Sequence, residues 1–292
     1  MLFLLIFAQT VHLEPVEQAE IKRFETNKYG HFLLDSEGGA FHWTSTGRLV
    51  LRLEREGKAS YAIHPMPGGY AVTWFNAAKR RFGIDVVNHF GKTTQELPEY
   101  LSSWYFEIGG HLYGSAMIWA PGETQIVPIA HDGGKLNPSK ARQDFFDPGK
   151  HGTPMDPDFK RIWVAETDKG FVVATPLEPF MYHFDKSTKL IGKKALPLPE
   201  WKTYKGVYQG GDYREYLKGF NRLVYFGGAY EGFVMAVESV DGKTTELVWW
   251  FGDKVVKREI VPGWQREGKI VGGSDGVRVW VLNPDPLTVS SF

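Results

Sequence analysis

The stretch Gly69-Tyr-Ala-Val-Thr-Trp74, a polar turn, Ile84-Asp-Val-Val87 and then Gly91-Lys92 decides the fold. A glycine opens an apolar strand, a turn leads to a second apolar strand, and a polar turn closes the unit. Short alternating or apolar runs bounded by Gly, Asp and Lys read as half-buried or buried strands. The same order of parts recurs along the chain. It runs from Gly39-Ala-Phe-His-Trp43 through Arg48-Leu-Val-Leu51 to Gly57-Lys58, and from Gly110 through Gln125-Ile-Val127 to Gly134-Lys135. It returns from Gly170-Phe-Val-Val173 through Phe180-Met-Tyr-His-Phe184 to Asp185-Lys186, and from Gly232-Phe-Val-Met235 through Glu246-Leu-Val-Trp-Trp250 to Gly252-Asp-Lys254. A last copy runs from Gly268-Lys-Ile-Val271 through Val277-Arg-Val-Trp-Val281 to Asn283.

A unit of this kind cannot bury both of its faces alone, so neighbours must stack around an axis. The strand ahead of each glycine completes a four-stranded unit: His31–Asp35, Tyr61–His64, Trp104–Glu107, Arg161–Ala165, Arg222–Phe226 and Ile260–Trp264. Each anchor glycine is expected to supply a positive φ in the turn between two strands. The segment Ala19–Phe24 is expected to pair with the last unit and close the ring, which removes exposed sheet edges. Asp35-Ser-Glu-Gly-Gly-Ala-Phe-His-Trp43, continued by Arg48-Leu-Val-Leu51 and Gly57-Lys58, resembles the repeat of bacterial six-bladed, NHL-like propellers. Ile270-Val-Gly-Gly-Ser-Asp-Gly-Val-Arg-Val-Trp280 resembles the middle of a WD40 blade. The resemblance implies an all-β, single six-bladed β-propeller of four-stranded blades, and it implies no particular activity.

Composition fits that reading. The chain has 292 residues, 42% of them apolar and 15% aromatic, with 33 glycines, which suits many short strands joined by tight turns. Lys+Arg and Asp+Glu both number 34, so there is no net basic footprint for nucleic acid. Without cysteine there is no disulfide, thiolate metal site or cysteine nucleophile. The opening run Met1-Leu-Phe-Leu-Leu-Ile-Phe-Ala8 resembles the apolar core of a secretory signal, so residues 1–10 are expected to be a short signal segment and 11–292 the propeller. That expectation makes the protein secreted or periplasmic, with cytoplasmic residence as the alternative if the run is not a signal. No later stretch reaches the length of a membrane span.

The anchors are unevenly spaced. Gly110 to Gly170 and Gly170 to Gly232 are each too long for one blade, and each reads as a blade plus an insertion, near 137–159 and 201–221. Label the strands of a blade A to D from axis to rim. Antiparallel order then places the D-to-A connections and the B-to-C turns on one face. Both insertions are D-to-A connections and so share a face with the turns Asn76–Arg80, Ile118–Gly122, Ser239–Lys243 and Ser274–Gly276.

The candidate ligand-binding residues lie on that face. Phe159-Lys-Arg161 and Phe220-Asn-Arg222 end the two insertions alike, placing Arg161 and Arg222 where inner strands begin. Two guanidiniums there can clamp a carboxylate or phosphate, or serve structurally by pairing with carboxylates. Asp158 and Asn221 adjoin them, and His151 lies in the first insertion. Trp201, Tyr204 and Tyr208 in the second can stack on a sugar, pack against a protein, or pin the loop to the propeller. His42, His89, His131 and His183 read as partly buried strand residues. Gly272-Gly-Ser-Asp-Gly276 matches G-x-S-x-G but precedes a strand and so reads as a hairpin turn. The leading function is therefore non-enzymatic binding of a protein, glycan or small anion, without a cofactor. The alternative is a channel-mouth hydrolase or lyase holding a divalent cation on residues such as Asp158 and Asn221.

Overall fold

The computed structural model describes residues 9–27, 29–53, 59–66, 69–88, 91–97, 101–108, 111–117, 124–127, 130–132, 135–137, 162–198, 200–203, 219–229, 232–252, 254–264, 269–274 and 278–292. In chain order, β1 (Thr10–His12) precedes the meander β2 (Ile21–Asn27), β3 (Gly30–Asp35), β4 (Ala40–Trp43) and β5 (Leu49–Leu53). A second meander comprises β6 (Ala59–Met66), β7 (Gly69–Asn76), β8 (Arg81–Asn88) and β9 (Gly91–Leu97). There follow β10 (Leu101–Ile108), β11 (His111–Met117) and β12 (Thr124–Val127), then the hairpin β13 (Ala130–Asp132) and β14 (Lys135–Asn137). The next meander is β15 (Trp163–Thr167), β16 (Gly170–Ala174), β17 (Phe180–Asp185) and β18 (Leu190–Ala195). After it come β19 (Arg222–Ala229), β20 (Gly232–Glu238), β21 (Thr244–Phe251) and β22 (Lys254–Pro262). The chain ends with β23 (Ile270–Ser274), β24 (Val279–Pro284) and β25 (Leu287–Ser291).

Strands that follow one another in a meander pair antiparallel, as the short turns require. The innermost strands contact one another in the cyclic order β2, β6, β10, β15, β19, β23 and back to β2. This closed circuit of meanders is a β-propeller. The strands are apolar where neighbouring sheets stack: all of β16 is buried, as are Val234, Met235 and Ala236 of β20 and Leu247 to Trp250 of β21. One continuous core joins the last two complete meanders to Val279 and Val281 of β24.

Ring closure differs from the sequence expectation. The strand that closes the last unit is β1, which pairs antiparallel with β25 through Thr10–Ser290, Val11–Val289 and His12–Thr288. Ile21–Asn27 is instead the innermost strand of the first unit, and it touches β23 through one parallel bridge, Thr26 to Gly273. The two end units are therefore offset by one strand from the reading above. Gly39-Ala-Phe-His-Trp43 is a third strand rather than a second, Ile260–Pro262 ends the outer strand β22, and Ser274–Gly276 follows an inner strand. Ser274 therefore lies at the end of its strand away from the insertions, and Asp275 and Gly276 lie outside the described residues. A strand borrowed across the chain ends cannot be found by local repeat counting, which explains the offset.

Gly30 and Gly170 have the positive φ that an anchor was expected to need, and close approach of a neighbouring backbone is a second constraint. A Cβ on Gly30 would collide with the Trp43 carbonyl oxygen, one on Gly170 with that of Phe184, and one on Gly232 with that of Trp250. Each opens the second strand of its unit, so this second constraint is close approach of the third strand's backbone. Gly170 also has φ +154°, but Gly232 needs no positive φ. Gly30 is thus the true anchor of the first unit.

Candidate functional site

The neck of the second insertion is the best-defined feature of the insertion-bearing face. After β18, the Leu196 N–H donates to Pro179 O at 2.8 Å, and Leu198 and Trp201 pack against the shared core. The Lys202 N–H donates to Asn221 Oδ1 at 2.7 Å, and the Asn221 N–H donates back to Lys202 O at 3.0 Å. This reciprocal pair ties the two ends of the insertion together. Phe220 is buried beside it, and Asn221 Nδ2 reaches Glu238 O at 3.4 Å.

Arg222 and Glu238 are cross-strand partners, one at the start of β19 and the other at the end of β20. Their side chains form a buried ion pair through Arg222 Nη2 and Glu238 Oε2, with the residues only 8% and 5% exposed. Of the two roles the sequence left open for Arg222, the structure thus displays a carboxylate pairing, made to a strand residue. Glu238 was not singled out from sequence. The hairpin alone would not have revealed it: continuing from Ala229 opposite Gly232 sets Ser239 opposite residue 222, and the bulge between Leu223 and Tyr225 shifts the partner to Glu238.

The adjoining turns are tightly organised. The Leu223 N–H donates to Pro176 O at 2.8 Å, which joins β19 to the turn between β16 and β17. In that turn Glu178 Oε2 accepts from Tyr182 Oη at 2.7 Å and from Thr175 Oγ1 at 3.3 Å. Burial first, and then the Glu178 carboxylate, push the Tyr182 hydroxyl well above its ordinary pKa, so it remains a donor. After β20, Asp241 accepts from the Lys243 N–H at 3.0 Å and from Ser239 Oγ at 2.9 Å. The Lys243 N–H and then the Ser239 hydroxyl hold the Asp241 carboxyl below its usual range.

Of the sequence-derived candidates, the structure brings Trp201, Asn221 and Arg222 together at this neck. His151, Asp158, Arg161, Tyr204 and Tyr208 lie outside the described residues. His42 stacks on Phe32 at 4.1 Å and its Nε2 lies 3.2 Å from Tyr29 O; burial lowers its pKa, as it does that of His183. Among the described residues no group of three or more His, Asp or Glu side chains is placed to hold a metal ion. No helix among them is long and apolar enough to cross a membrane.

A buried histidine at the ring seam escaped the sequence reading. His31 Nδ1 lies 2.8 Å from Thr26 Oγ1, and its ring meets Trp280 of the last unit edge-on at 5.4 Å. Burial is the main cause that drives its pKa down to about 4.

Solved structures resemble this chain over most of its length at low sequence identity. A candidate exported protein from Bacteroides fragilis aligns with a TM-score of 0.50 at 11% identity, covering 88% of this chain and 75% of that one. BamB from Moraxella catarrhalis aligns with a TM-score of 0.40 at 10% identity, over 92% and 68% of the two chains. BBS1N, solved in complex with ARL6DN, aligns with a TM-score of 0.46 at 7% identity, over 89% and 73%. No family model matches the chain, and no curated protein matches it.

Proposed function

We propose that this chain is an exported, non-catalytic six-bladed propeller that binds a protein or glycan through its insertion-bearing face. The reciprocal Lys202–Asn221 tie carries this reading. It gathers the two ends of the second insertion at a single neck. Beneath that neck the Arg222–Glu238 pair is buried and charge-neutral, which suits a platform better than a reactive centre. Tyr204 and Tyr208 supply apolar bodies with polar tips for a partner surface, while Trp201 packs against the core and anchors the neck. His151 and Asp158 belong to the other insertion, and Arg161, at the entry of the strand that follows it, serves a small anion if one is bound. Asn221 and Arg222 hold the base.

The test replaces residues 204–218 with a short Gly-Ser linker, which the tied neck accommodates. Wild type and variant are compared by thermal shift against glycan and anion panels, and by cross-linking in the native host. Binding present in the wild type and lost in the folded variant supports the proposal. Undiminished binding by the variant overturns it.

A further inference from the structure

The nine-residue strand β22 forms one edge of its sheet, and among the described residues nothing pairs with its outer side. Its sequence, Lys254-Val-Val-Lys-Arg-Glu-Ile-Val-Pro262, is self-complementary when read against itself antiparallel about Arg258. In that register Lys257 falls opposite Glu259 of a second copy, Glu259 opposite Lys257, Val256 opposite Ile260, and Val255 opposite Val261. The ion pair and the two apolar pairs are each made twice, as a two-fold interface requires.

Side-chain placement supports this register. Val256 and Ile260 are 59% and 72% exposed, the most exposed large apolar residues described. Lys257 and Glu259 share a face, with Nζ to Oε2 at 2.8 Å, so a second copy extends an existing pair into an alternating four-charge ladder. The two central Arg258 residues would meet, but each is already engaged by Glu246 Oε1 and by Pro197 O, the latter at 2.7 Å. The bulge at Val256, between the Trp249 and Trp250 pairings, leaves Lys257–Glu259 as the stretch that is regular in both copies, and this stretch carries the ion pairs that set the register. No other edge among the described residues has this combination. In β18, Ile191 would face Lys194, and in β9 the equivalent Lys92 is held at 3.0 Å by Asp85.

We infer that two copies of this chain associate through antiparallel edge-to-edge pairing of β22 centred on Arg258, with Lys257 and Glu259 setting the register. Such an edge interface is small, so the dimer belongs to the weak, concentration-dependent class. The experiment is sedimentation velocity at rising protein concentration. It uses the wild type, K257E, E259K, an equimolar mixture of those two variants, and I260K. Far-ultraviolet circular dichroism and thermal melting verify folding, and all the changed side chains are solvent-facing. The wild type should dimerise. Each charge variant alone should weaken dimerisation about tenfold or more, because like charges then face each other across the edge. The mixture should recover it. The new carboxylate at position 257 of one variant then meets the new ammonium at position 259 of the other, while the native Lys257 meets the native Glu259. I260K should weaken dimerisation without changing the monomer. A monomeric wild type at every concentration, unchanged single variants, or a mixture that fails to recover overturns the proposal.

Discussion

Truncating Arg222 to alanine is the sharpest test of how the neck is built. In the native state its guanidinium and the Glu238 carboxylate are both withdrawn from water and satisfy each other. Arg222→Ala leaves Glu238 buried without that partner, and breaking a buried pair from one side costs about 3–5 kcal/mol. Removing both charges, as in Arg222→Met/Glu238→Leu, takes away the desolvation cost as well, so the double variant should fall within about 2 kcal/mol of wild type. Urea unfolding followed by fluorescence and circular dichroism together gives the free energies and tests two-state behaviour. An Arg222→Ala cost below about 1 kcal/mol would refute the reasoning, because it places the pair in water. The guanidinium would then be available to a ligand after all.

Other expectations concern the seam and the core. The His31 pKa near 4 in the folded chain lies below the ordinary value of 6.5, so the unfolded chain binds its proton first. Stability from this residue is complete above pH 6.5, declines as pH falls, and is fully lost below about 4, a total of about 3 kcal/mol. Urea midpoints across that window should show the slope in wild type and lose it in His31→Gln; equal slopes would exclude His31 as the source. Trp74→Phe removes the 2.9 Å hydrogen bond from Nε1 to the buried Asp85 and should cost about 1–3 kcal/mol by denaturant unfolding. Leu13→Ala, in the cluster that holds β1 onto Trp43 and Trp280, should cost about 2–5 kcal/mol, and near-neutrality would show that β1 is not closing the ring.

The repeat of strand, glycine, strand and polar turn was legible because each complete meander buries apolar faces that the pattern records directly. The meanders at 59–97, 163–195 and 222–262 match the reading nearly strand for strand. The end units were shifted because their pairing spans the whole chain: Val11 finds Val289 through a register that no local period encodes. Trp201, Asn221 and Arg222 could be assigned to one face from topology alone. Their partners could not, since the Lys202–Asn221 tie depends on two segments meeting, and Glu238 gains its meaning only from the hairpin register. His31 was missed because one histidine in an apolar strand looks the same whether it packs within its blade or across a seam.

The way β1 completes the last sheet also governs when the molecule can finish folding. Its partner β25 leaves the ribosome after every other strand of the ring. Thr10–His12 must therefore wait through most of synthesis with its apolar neighbours Val11 and Leu13 uncovered. Pairing so distant in sequence is slow to form, and the exposed segment is vulnerable to aggregation meanwhile. A nascent chain stalled before Leu287 has all its inner strands and still lacks the latch. Quality control can therefore distinguish a closed ring from an open one by the accessibility of Val11 and Leu13.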